Sequence, residues 1–262
     1  MSLVLDVKGI SISFGGLKAV SGFGLGLERG SLQGLIGPNG AGKTTVFNLL
    51  TGVYQPNEGT ISLDGLVLNG KRPYQIAAAG MARTFQNIRL FGELSVLDNV
   101  RIACHLRTAH SMFGSIFRTP AFRGEERAIL ERSHKLLEIF KLDGRANDQA
   151  KHLPYGDQRR LEIARAIATD PKVLLLDEPA AGMNPQEKKA LRELIDFVRK
   201  EFGLTVLLIE HDMGLVMEIC EKITVLDHGV TIAHGAAKDV ANDPKVIEAY
   251  LGAPETPEEA AH

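Results

Sequence analysis

The stretch GPNGAGKTT, Gly37–Thr45, follows an apolar run and precedes a helical pattern, and this order decides the fold. It satisfies the P-loop pattern GxxxxGK[ST], in which glycines let backbone N–H groups surround phosphate oxygens and the following helix N-terminus adds positive dipole. Lys43 would meet the β- and γ-phosphate oxygens, and the Thr44 hydroxyl would bind Mg²⁺. A glycine-rich turn with a chance lysine is the alternative interpretation. The predicted phosphate contacts come from Gly37, Pro38, Asn39, Gly40, Ala41, Gly42, Lys43, Thr44 and Thr45.

A second element of the same kind of site is VLLLDEP, Val173–Pro179, an apolar run that ends in two adjacent acids. Asp177 can hold Mg²⁺, mostly through water, while Glu178 points elsewhere and can polarise a water for in-line attack on the γ-phosphate. An Asp-Glu pair alone is usually a solvated strand end. In a chain with a phosphate loop, the pair favours ATP and Mg²⁺ as cofactors.

Two apolar runs predict the centre of the sheet. KVLLLD (Lys172–Asp177) and LTVLLIE (Leu204–Glu210) lack polar alternation, as is typical of parallel strands covered on both faces. A helical pattern, Pro185–Glu201, lies between them, so strand–helix–strand is the simplest interpretation. The predicted fold class is therefore α/β with a mostly parallel core sheet.

Further patterns outline the remaining elements. Strands are predicted at Leu3–Val7, Ile10–Phe14, Ser31–Ile36 and GTISLDG (Gly59–Gly65), a helix at Thr45–Thr51, and a hairpin in KITVLDHGVTIAHG that turns at His228-Gly229. From about residue 88 to 153, helical periodicity dominates and predicts an inserted helical segment. The Pro- and Glu-rich end after Gly252 predicts a disordered tail.

Composition and charge argue against several classes of protein. The 262 residues are 44% hydrophobic and 24% charged with a formal net charge of −2, so no basic field attracts nucleic acid or anionic lipid. Cys104 and Cys220 stand far apart, which favours reduced thiols in a cytosolic compartment over a disulfide or metal site. The N-terminus lacks a signal-peptide layout, and no apolar run approaches the roughly 20 residues that cross a bilayer. We therefore expect a partner to bring the chain to any membrane.

These motifs, in this order, make the chain resemble the ATP-binding-cassette (ABC) ATPases over nearly its whole length. The resemblance implies a P-loop NTPase cassette with a parallel core sheet, an antiparallel β subdomain and an inserted helical subdomain. It also implies one domain spanning residues 1–252, with the helical insertion at about 88–168 and the tail at 253–262.

The same resemblance assigns roles to three further residues. Phe14 stands where these ATPases stack an aromatic ring on adenine, although it could equally be a core strand residue. Gln86, in RTFQN, matches the Q-loop glutamine, which senses Mg²⁺ and the attacking water and moves with a transmembrane partner. His211, in LLIEHDM, matches the switch histidine at the γ-phosphate. Glu178, His211 and Gln86 are thus the predicted catalytic residues, and Thr44, Gln86 and Asp177 the predicted Mg²⁺ ligands.

The stretch HLPYGDQRRLEIARA, His152–Ala166, lies where the family carries its LSGGQ signature. The resemblance implies that two chains pair head to tail, with the signature helix of one directed at the γ-phosphate bound by the other. Contacts to the partner's ATP in trans are therefore expected from Pro154, Tyr155, Gly156 and Asp157. Pro154 replaces the usual serine and so lacks its hydroxyl, and Asp157 replaces a glutamine. We therefore hypothesise that this half-site binds the partner's ATP more weakly.

The helix after the signature is predicted to be amphipathic. Leu161, Ala164 and Ala168 form one apolar face, and Arg159 and Arg160 are expected to project elsewhere.

Several stretches narrow the resemblance to the LivG-type ATPases of bacterial branched-chain amino acid importers. They are ARTFQNIRLFGELSVLDNV, YGDQRRLEIARA, DEPAAGMNP, LLIEHDMGLVM and AYLG. The resemblance includes an inserted segment, Met112–Glu126, whose Phe113, Phe117 and Phe122 serve either local packing or a partner contact. In the D-loop, AAGMNP (Ala180–Pro185), Asn184 replaces a commoner aspartate, which weakens any inference about communication through a carboxylate.

This resemblance implies a peripheral ATPase on the cytoplasmic face of the bacterial inner membrane. Its partners would be a second, identical or similar ABC ATPase, two transmembrane permease subunits and, indirectly, a periplasmic substrate-binding protein that delivers leucine, isoleucine or valine. ATP binding would close the dimer and switch the permeases.

Alternatives remain open at the level of sequence. The same type of ATPase could energise the transport of urea, short amides or other amino acids. A lipopolysaccharide-export ATPase also has a similar cassette. A soluble ABC ATPase acting on nucleic acid is disfavoured by the lack of a basic stripe and of a long coiled coil. A catalytically dead regulatory module is disfavoured because Lys43, Asp177, Glu178 and His211 are all present.

Overall fold

A six-stranded sheet forms the centre of the molecule, which the computed structural model describes over residues 3–107 and 119–251. The strand order is β10-β9-β3-β8-β7-β6; β6 to β9 run parallel with β3, and β10 is antiparallel to β9. The strands are β3 (Leu32–Ile36), β6 (Met81–Arg83), β7 (Val173–Asp177), β8 (Thr205–Ile209), β9 (Lys222–Asp227) and β10 (Val230–Ala236). The predicted parallel pair, β7 and β8, is confirmed.

A second, antiparallel sheet lies beside it in the order β2-β1-β4-β5. Its strands are β1 (Leu3–Phe14), β2 (Leu17–Glu28), β4 (Glu58–Leu63) and β5 (Leu66–Val67). The two strands expected at Leu3–Val7 and Ile10–Phe14 are one continuous strand. Its register shifts between Val7 and Ile10, where Gly9 has φ 58°, so a bulge rather than a turn separates the two patterns.

Helices connect and cover the sheets. They are α1 (Lys43–Leu50), α2 (Pro73–Ala79), α3 (Val96–Cys104), α4 (Pro120–Ile139), α5 (Tyr155–Ala168), α6 (Pro185–Glu201), α7 (Met213–Ile219), α8 (Ala237–Ala241) and α9 (Pro244–Leu251). Helix α1 begins at Lys43 rather than Thr45, because Gly42, in a left-handed conformation (φ 101°), turns the chain directly into the helix. Helices α3 to α5 fall within the predicted helical insertion, whereas Phe113, Phe117 and the tail at 253–262 lie outside the described residues.

Two apolar cores occupy the two faces of the central sheet. Along β8, Val206 and Leu208 pack with the helices α3 to α6, while Leu207 and Ile209 pack with α1 and the antiparallel sheet. Every residue of β8 is buried, which explains why its sequence lacks polar alternation. Cys104 and Cys220 are buried free thiols, as predicted, and burial raises the pKa of Cys220 to about 12.

The predicted hairpin at His228-Gly229 is confirmed and connects the two sheets. Both residues have positive φ, 42° and 78°, as a two-residue hairpin turn requires. Gly229 donates its N–H to the Ala41 carbonyl (2.9 Å) and accepts from the Ser21 N–H (2.8 Å). The turn therefore joins β2 to the P-loop.

Candidate functional site

The P-loop, Gly37–Thr44, joins β3 to α1 as predicted. A side chain at Gly37 (φ 150°) would place its Cβ 2.0 Å from the Leu226 carbonyl oxygen, so only glycine fits there. Lys43 Nζ donates to the carbonyls of Gly37 (2.7 Å) and Pro38 (2.9 Å), and burial lowers the pKa of this amine. Thr44 is exposed at the start of α1, where a hydroxyl is accessible to a ligand.

Asp177, at the end of β7, is paired with a residue that sequence reasoning missed. Arg83 Nη2 lies 2.6 Å from Asp177 Oδ2, and both side chains are only 7% exposed. Arg83 also donates to Asn48 Oδ1 (2.7 Å), and its guanidinium lies over the Phe85 ring (5.0 Å). The predicted Mg²⁺ ligand is therefore held by an internal cation. Arg83 precedes the predicted Q-loop glutamine in RTFQN, but nothing in that pattern indicated its partner.

Glu178 and two predicted catalytic residues come together beside Asp177. Glu178 adopts a left-handed conformation (φ 44°), fixed by its N–H donating to the Ile209 carbonyl (2.9 Å). This conformation costs a non-glycine residue about 1–3 kcal/mol and typically occurs at functional sites. Its Oε2 accepts from Gln86 Nε2 (2.8 Å) and lies 3.6 Å from His211 Nδ1. A carboxylate so placed can accept a proton from a water between these groups.

Glu210, at the end of β8, is a second residue that sequence reasoning missed. Its side chain is fully buried, and burial raises the pKa of the carboxyl. Oε1 accepts from the Ala180 N–H (2.8 Å) and Oε2 from the His211 N–H (3.3 Å). Glu210 thus fixes the start of the D-loop and the backbone of the switch histidine. An acid directly after a buried apolar run was the available signal.

The oxygen donors near the P-loop suit Mg²⁺. Thr44 supplies a hydroxyl, Gln86 an amide oxygen and Asp177 a carboxylate, and Mg²⁺ bound with a nucleotide needs only one or two protein ligands because phosphates and waters supply the rest. Within residues 3–107 and 119–251, no group of three or more His, Cys, Asp or Glu side chains forms a metal site. The hydroxyl, amide and carboxylate oxygens of Thr44, Gln86 and Asp177 fit Mg²⁺ that arrives bound to a nucleotide.

Phe14 lies at the exposed end of β1, so the alternative of a core strand residue is wrong. Its ring is 43% exposed and meets Tyr54 edge to face at a centroid distance of 5.1 Å. The turn after Phe14 leads to Ala19, whose carbonyl lies against Gly42 of the P-loop. The Phe14 ring is thus exposed near the start of the strand that contacts the P-loop, a position that permits stacking on adenine.

The signature residues surround the start of α5. Pro154 is the N-cap, and the helix begins at Tyr155. Asp157 Oδ1 lies 3.5 Å from Arg160 Nη1, and Oδ2 lies 3.9 Å from Arg145 Nε, so two cations partly neutralise this carboxylate. In the D-loop, Asn184 Oδ1 caps α6 by accepting from the N–H groups of Gln186 and Glu187 (3.0 Å each).

Arg159 lies on the opposite side of α5 from Leu161, Ala164 and Ala168, as expected, but that side is buried. Arg159 is 0% exposed, and its Nη1 lies 2.7 Å from Glu162 Oε2, also buried. The Q-loop, Arg83–Asn87, covers this side of α5, so a position that would face solvent on an isolated helix is enclosed. The spacing of Arg159 and Glu162 by one helical turn was a signal for the ion pair but not for its burial. Arg160 remains partly exposed, as predicted.

Comparison with known proteins gives the family. A family model described as "ABC transporter" matches residues 20–181, and one described as "Branched-chain amino acid ATP-binding cassette transporter" matches residues 230–256. The "High-affinity branched-chain amino acid transport ATP-binding protein LivG" of Salmonella typhimurium is 49% identical over 95% of this chain and 98% of its own length. BraF of Pseudomonas aeruginosa, whose description is otherwise the same, has equal identity and coverage.

A solved structure gives the same result. A crystal structure of the ADP conformation of an ATP-binding cassette of an ABC transporter superimposes with a TM-score of 0.83 at 31% identity, covering 97% of this chain and 100% of that one. The fold and the site thus define an ABC ATPase, a protein that binds and hydrolyses nucleotide in a transporter. Within that class the chain belongs to the LivG and BraF family of branched-chain amino acid transport ATP-binding proteins. Both predicted resemblances are confirmed.

Proposed function

We propose that this chain hydrolyses ATP to energise a bacterial importer of leucine, isoleucine and valine. The observation that carries the proposal is the convergence of Gln86 and His211 on Glu178, beside a P-loop whose Lys43 is close enough for the charge of Glu178 to act on it. The similarity of residues 230–256 to the branched-chain amino acid family supports the choice of cargo.

The residues divide the chemistry among them. The P-loop N–H groups and Lys43 bind the phosphates, and Phe14 stacks on adenine. Glu178 accepts the proton of the attacking water, the Gln86 amide orients that water, and His211 donates to the γ-phosphate. Thr44, Gln86 and Asp177 would hold Mg²⁺, which when bound would supply positive charge to the phosphates.

The partners follow from the incomplete site. Pro154, Tyr155, Gly156 and Asp157 belong to a loop that faces the nucleotide of a second, similar ATPase, so hydrolysis requires a dimer. None of the helices within 3–107 and 119–251 combines the length and apolar character needed to span a bilayer. We infer that two permease subunits hold the chain at the cytoplasmic face of the inner membrane and receive substrate from a periplasmic binding protein.

A groove next to the Q-loop provides a surface for the permeases. It has a volume of about 750 Å³ and a mostly apolar lining that includes Phe85, Phe91 and Ile102. Phe91 and Ile102 are 48% and 44% exposed and line the same groove, and a contiguous exposed apolar patch marks an interaction surface. An amphipathic helix from a permease would bury them. A movement of that permease helix would be transmitted to Gln86 through the neighbouring Phe85.

The hydrolytic assignment is tested by Glu178→Gln. The amide cannot accept a proton, so we expect ATP hydrolysis to fall by a factor of about 10²–10⁴ while ATP still binds. Glu58→Gln, at an exposed strand position, is the control and should leave hydrolysis unchanged. Hydrolysis by Glu178→Gln at the parent rate would refute the role of Glu178.

The groove is tested by Ile102→Lys against Ile247→Lys. The two isoleucines are 44% and 45% exposed, but only Ile102 lines the groove. We expect Ile102→Lys to abolish co-purification with the permeases and Ile247→Lys to preserve it, with ATP binding by the isolated chain unchanged in both. Equal recovery of the permeases with both variants would exclude the groove.

The cargo is tested by uptake of labelled leucine, with urea, an amide and other amino acids as competitors. We expect unlabelled isoleucine and valine to compete and urea not to compete. Transport of urea without transport of leucine would support urea as the cargo. Association of the chain with lipopolysaccharide-export components would refute the proposal of an importer and support an export ATPase.

A further inference from the structure

Arg159 is the largest of the fully buried side chains in the described residues, and two of its four hydrogen bonds go to the Q-loop. Nη1 donates to the Phe85 carbonyl (2.7 Å) and to Glu162 Oε2 (2.7 Å). Nη2 donates to the Gln86 carbonyl (2.9 Å) and to the Tyr155 hydroxyl (3.3 Å). One guanidinium thus connects the signature helix with two consecutive backbone carbonyls of the Q-loop.

Glu162 strengthens the same attachment. Its Oε1 accepts from the N–H groups of Phe85 and Arg89, both at 3.3 Å. The Arg159–Glu162 pair therefore binds both carbonyls and N–H groups of this backbone. On the opposite side, Gln86 Nε2 reaches Glu178 Oε2 at 2.8 Å. The position of Gln86 against the proposed catalytic base depends on this pair.

Tyr155 extends the connection to the D-loop. Its hydroxyl accepts from Arg159 and donates to the Ala181 carbonyl (3.1 Å). The neighbouring Ala180 N–H is bound by Glu210, which also binds the His211 backbone. Tyr155 is 46% exposed, whereas Arg159, to which it is hydrogen-bonded, is fully buried. The chain of hydrogen bonds therefore runs from a surface that a partner can contact to the backbone of Gln86.

The burial of this pair argues for more than stability. A buried ion pair usually stabilises a fold no better than apolar residues of similar volume would. In a dry site, however, hydrogen bonds to a charged donor are strong and directional, so the guanidinium transmits displacement between the loops that it joins.

We propose that Arg159, with Glu162 and Tyr155, is a positioning residue that couples the signature loop and the D-loop to the Q-loop. Contact between the signature loop and the partner's nucleotide then sets the orientation of Gln86 against Glu178 in the same chain. The inference rests on the proposed function, in which the signature loop acts in trans.

The test uses two variants and one control in the full assembled importer. Arg159→Leu combined with Glu162→Leu removes the pair without leaving an uncompensated buried charge. Tyr155→Phe removes only the hydroxyl that joins Arg159 to Ala181. Leu161→Ala, on the same helix and fully buried among apolar residues, should cost about 2–5 kcal/mol of stability without touching the network, so it controls for destabilisation alone.

We expect the nucleotide affinity of each isolated chain, and the KM of the importer assembled with the double variant, to stay within about twofold, because the P-loop and the residues proposed to face the partner's ATP are intact there. The kcat of the double variant should fall about ten- to a hundredfold, the effect of a misplaced catalytic group. Tyr155→Phe should lower kcat by about fivefold, the lower end of typical coupling. Leu161→Ala should retain kcat.

Retention of kcat by the double variant, or by Tyr155→Phe, would overturn the proposal. If the double variant does not fold, Tyr155→Phe alone decides in the same way. A parent importer without ATP hydrolysis would instead refute the proposed function, so the two failures are distinguishable.

Discussion

The carboxylate of Asp177 is balanced by Arg83 inside the protein. The two side chains are nearly buried, and Arg83 Nη2 lies 2.6 Å from Asp177 Oδ2. The two residues are 94 positions apart in the sequence. Removing one member of such a pair leaves an uncompensated charge in a medium of low dielectric. Arg83 therefore supports the strand end that carries both acids of the site.

We predict that Arg83→Met lowers the free energy of unfolding by about 3–5 kcal/mol, because Asp177 would stay buried without its counterion. The control is Arg29→Met, since Arg29 and Asp64 are also 2.6 Å apart but Arg29 is 56% exposed. An exposed pair contributes at most about 1 kcal/mol. Urea denaturation of the isolated chain measures both, and equal losses would contradict the argument from burial.

Glu210 has the opposite electrostatic situation, because the effect of burial on its carboxyl outweighs that of His211, whose Nδ1 lies 3.9 Å from Oε2. Burial raises its pKa, so ionisation is easier in the unfolded chain than in the folded one. Its contribution to stability therefore decreases as pH rises from the ordinary value of 4.5 through the raised pKa of the folded state.

We predict that Glu210→Gln becomes more stable relative to the parent as pH rises through that window, because the amide carries no charge to bury. Asp64→Asn should show the opposite trend, since the hydrogen bond from Lys172 lowers the pKa of Asp64. Unfolding free energies measured between about pH 2 and pH 8 give both trends, because the stability contribution of Asp64 changes with pH at and below its ordinary pKa of 3.8. A pH-independent difference for Glu210→Gln would contradict the prediction.

At the scale of elements, the β9–β10 turn joins the antiparallel sheet to the P-loop. A Cβ at Gly229 (φ 78°) would lie 2.6 Å from the Ala19 carbonyl oxygen. The backbone bond from Gly229 to Ala41 also holds the P-loop. A hairpin far from the P-loop in sequence therefore helps to shape it.

We predict that Gly229→Ala destabilises the protein and weakens nucleotide binding. Gly65→Ala is a matched control, because Gly65 has the same φ, 78°, but open space around it. Both variants should lose about 1–2 kcal/mol to backbone strain. Gly229→Ala should lose a further ~1–3 kcal/mol to overpacking. Thermal unfolding and ATP titration measure the difference, and equal behaviour of the two variants would refute it.

At the scale of the whole molecule, the proposed function gives one chain parts of two sites. We propose that Lys43, Asp177, Glu178 and His211 act on the chain's own nucleotide, and that the signature, with Pro154 and Asp157, acts on the partner's. Pro154 offers no side-chain donor at the start of α5, and Asp157 is partly neutralised by Arg145 and Arg160. A pair of different ATPases would therefore have two unequal sites.

We predict that Pro154→Ser tightens ATP binding at the partner's site by about five- to tenfold, since a hydroxyl adds one hydrogen bond worth about 1 kcal/mol. The assembled dimer is assayed for the ATP dependence of hydrolysis. Pro120→Ser, at the exposed start of α4, is the control and should change nothing. Unchanged ATP affinity and turnover in Pro154→Ser would show that the missing hydroxyl has no effect.

The sequence by itself determined the P-loop, the two acids after a buried strand, the parallel β7–β8 pair and the β9–β10 hairpin. Each depends on residues that are neighbours in the chain, because periodicity, glycine conformation and helix polarity are local properties. The motifs also predicted Gln86, Glu178 and His211 as catalytic residues. The distances between these residues could not be predicted from the motifs. Gln86 and Glu178 are separated by 92 residues and meet at 2.8 Å only in the folded chain.

The environment of the charged groups depends on tertiary packing. The helical pattern placed Arg159 away from the apolar face of its helix, and the Q-loop encloses it there through a contact 74 residues away in the sequence. The burial of Arg83 and Glu210 was likewise not predicted. Burial depends on which distant segments cover a position, and for a charged group burial determines whether it needs a counterion, shifts its pKa or connects two loops.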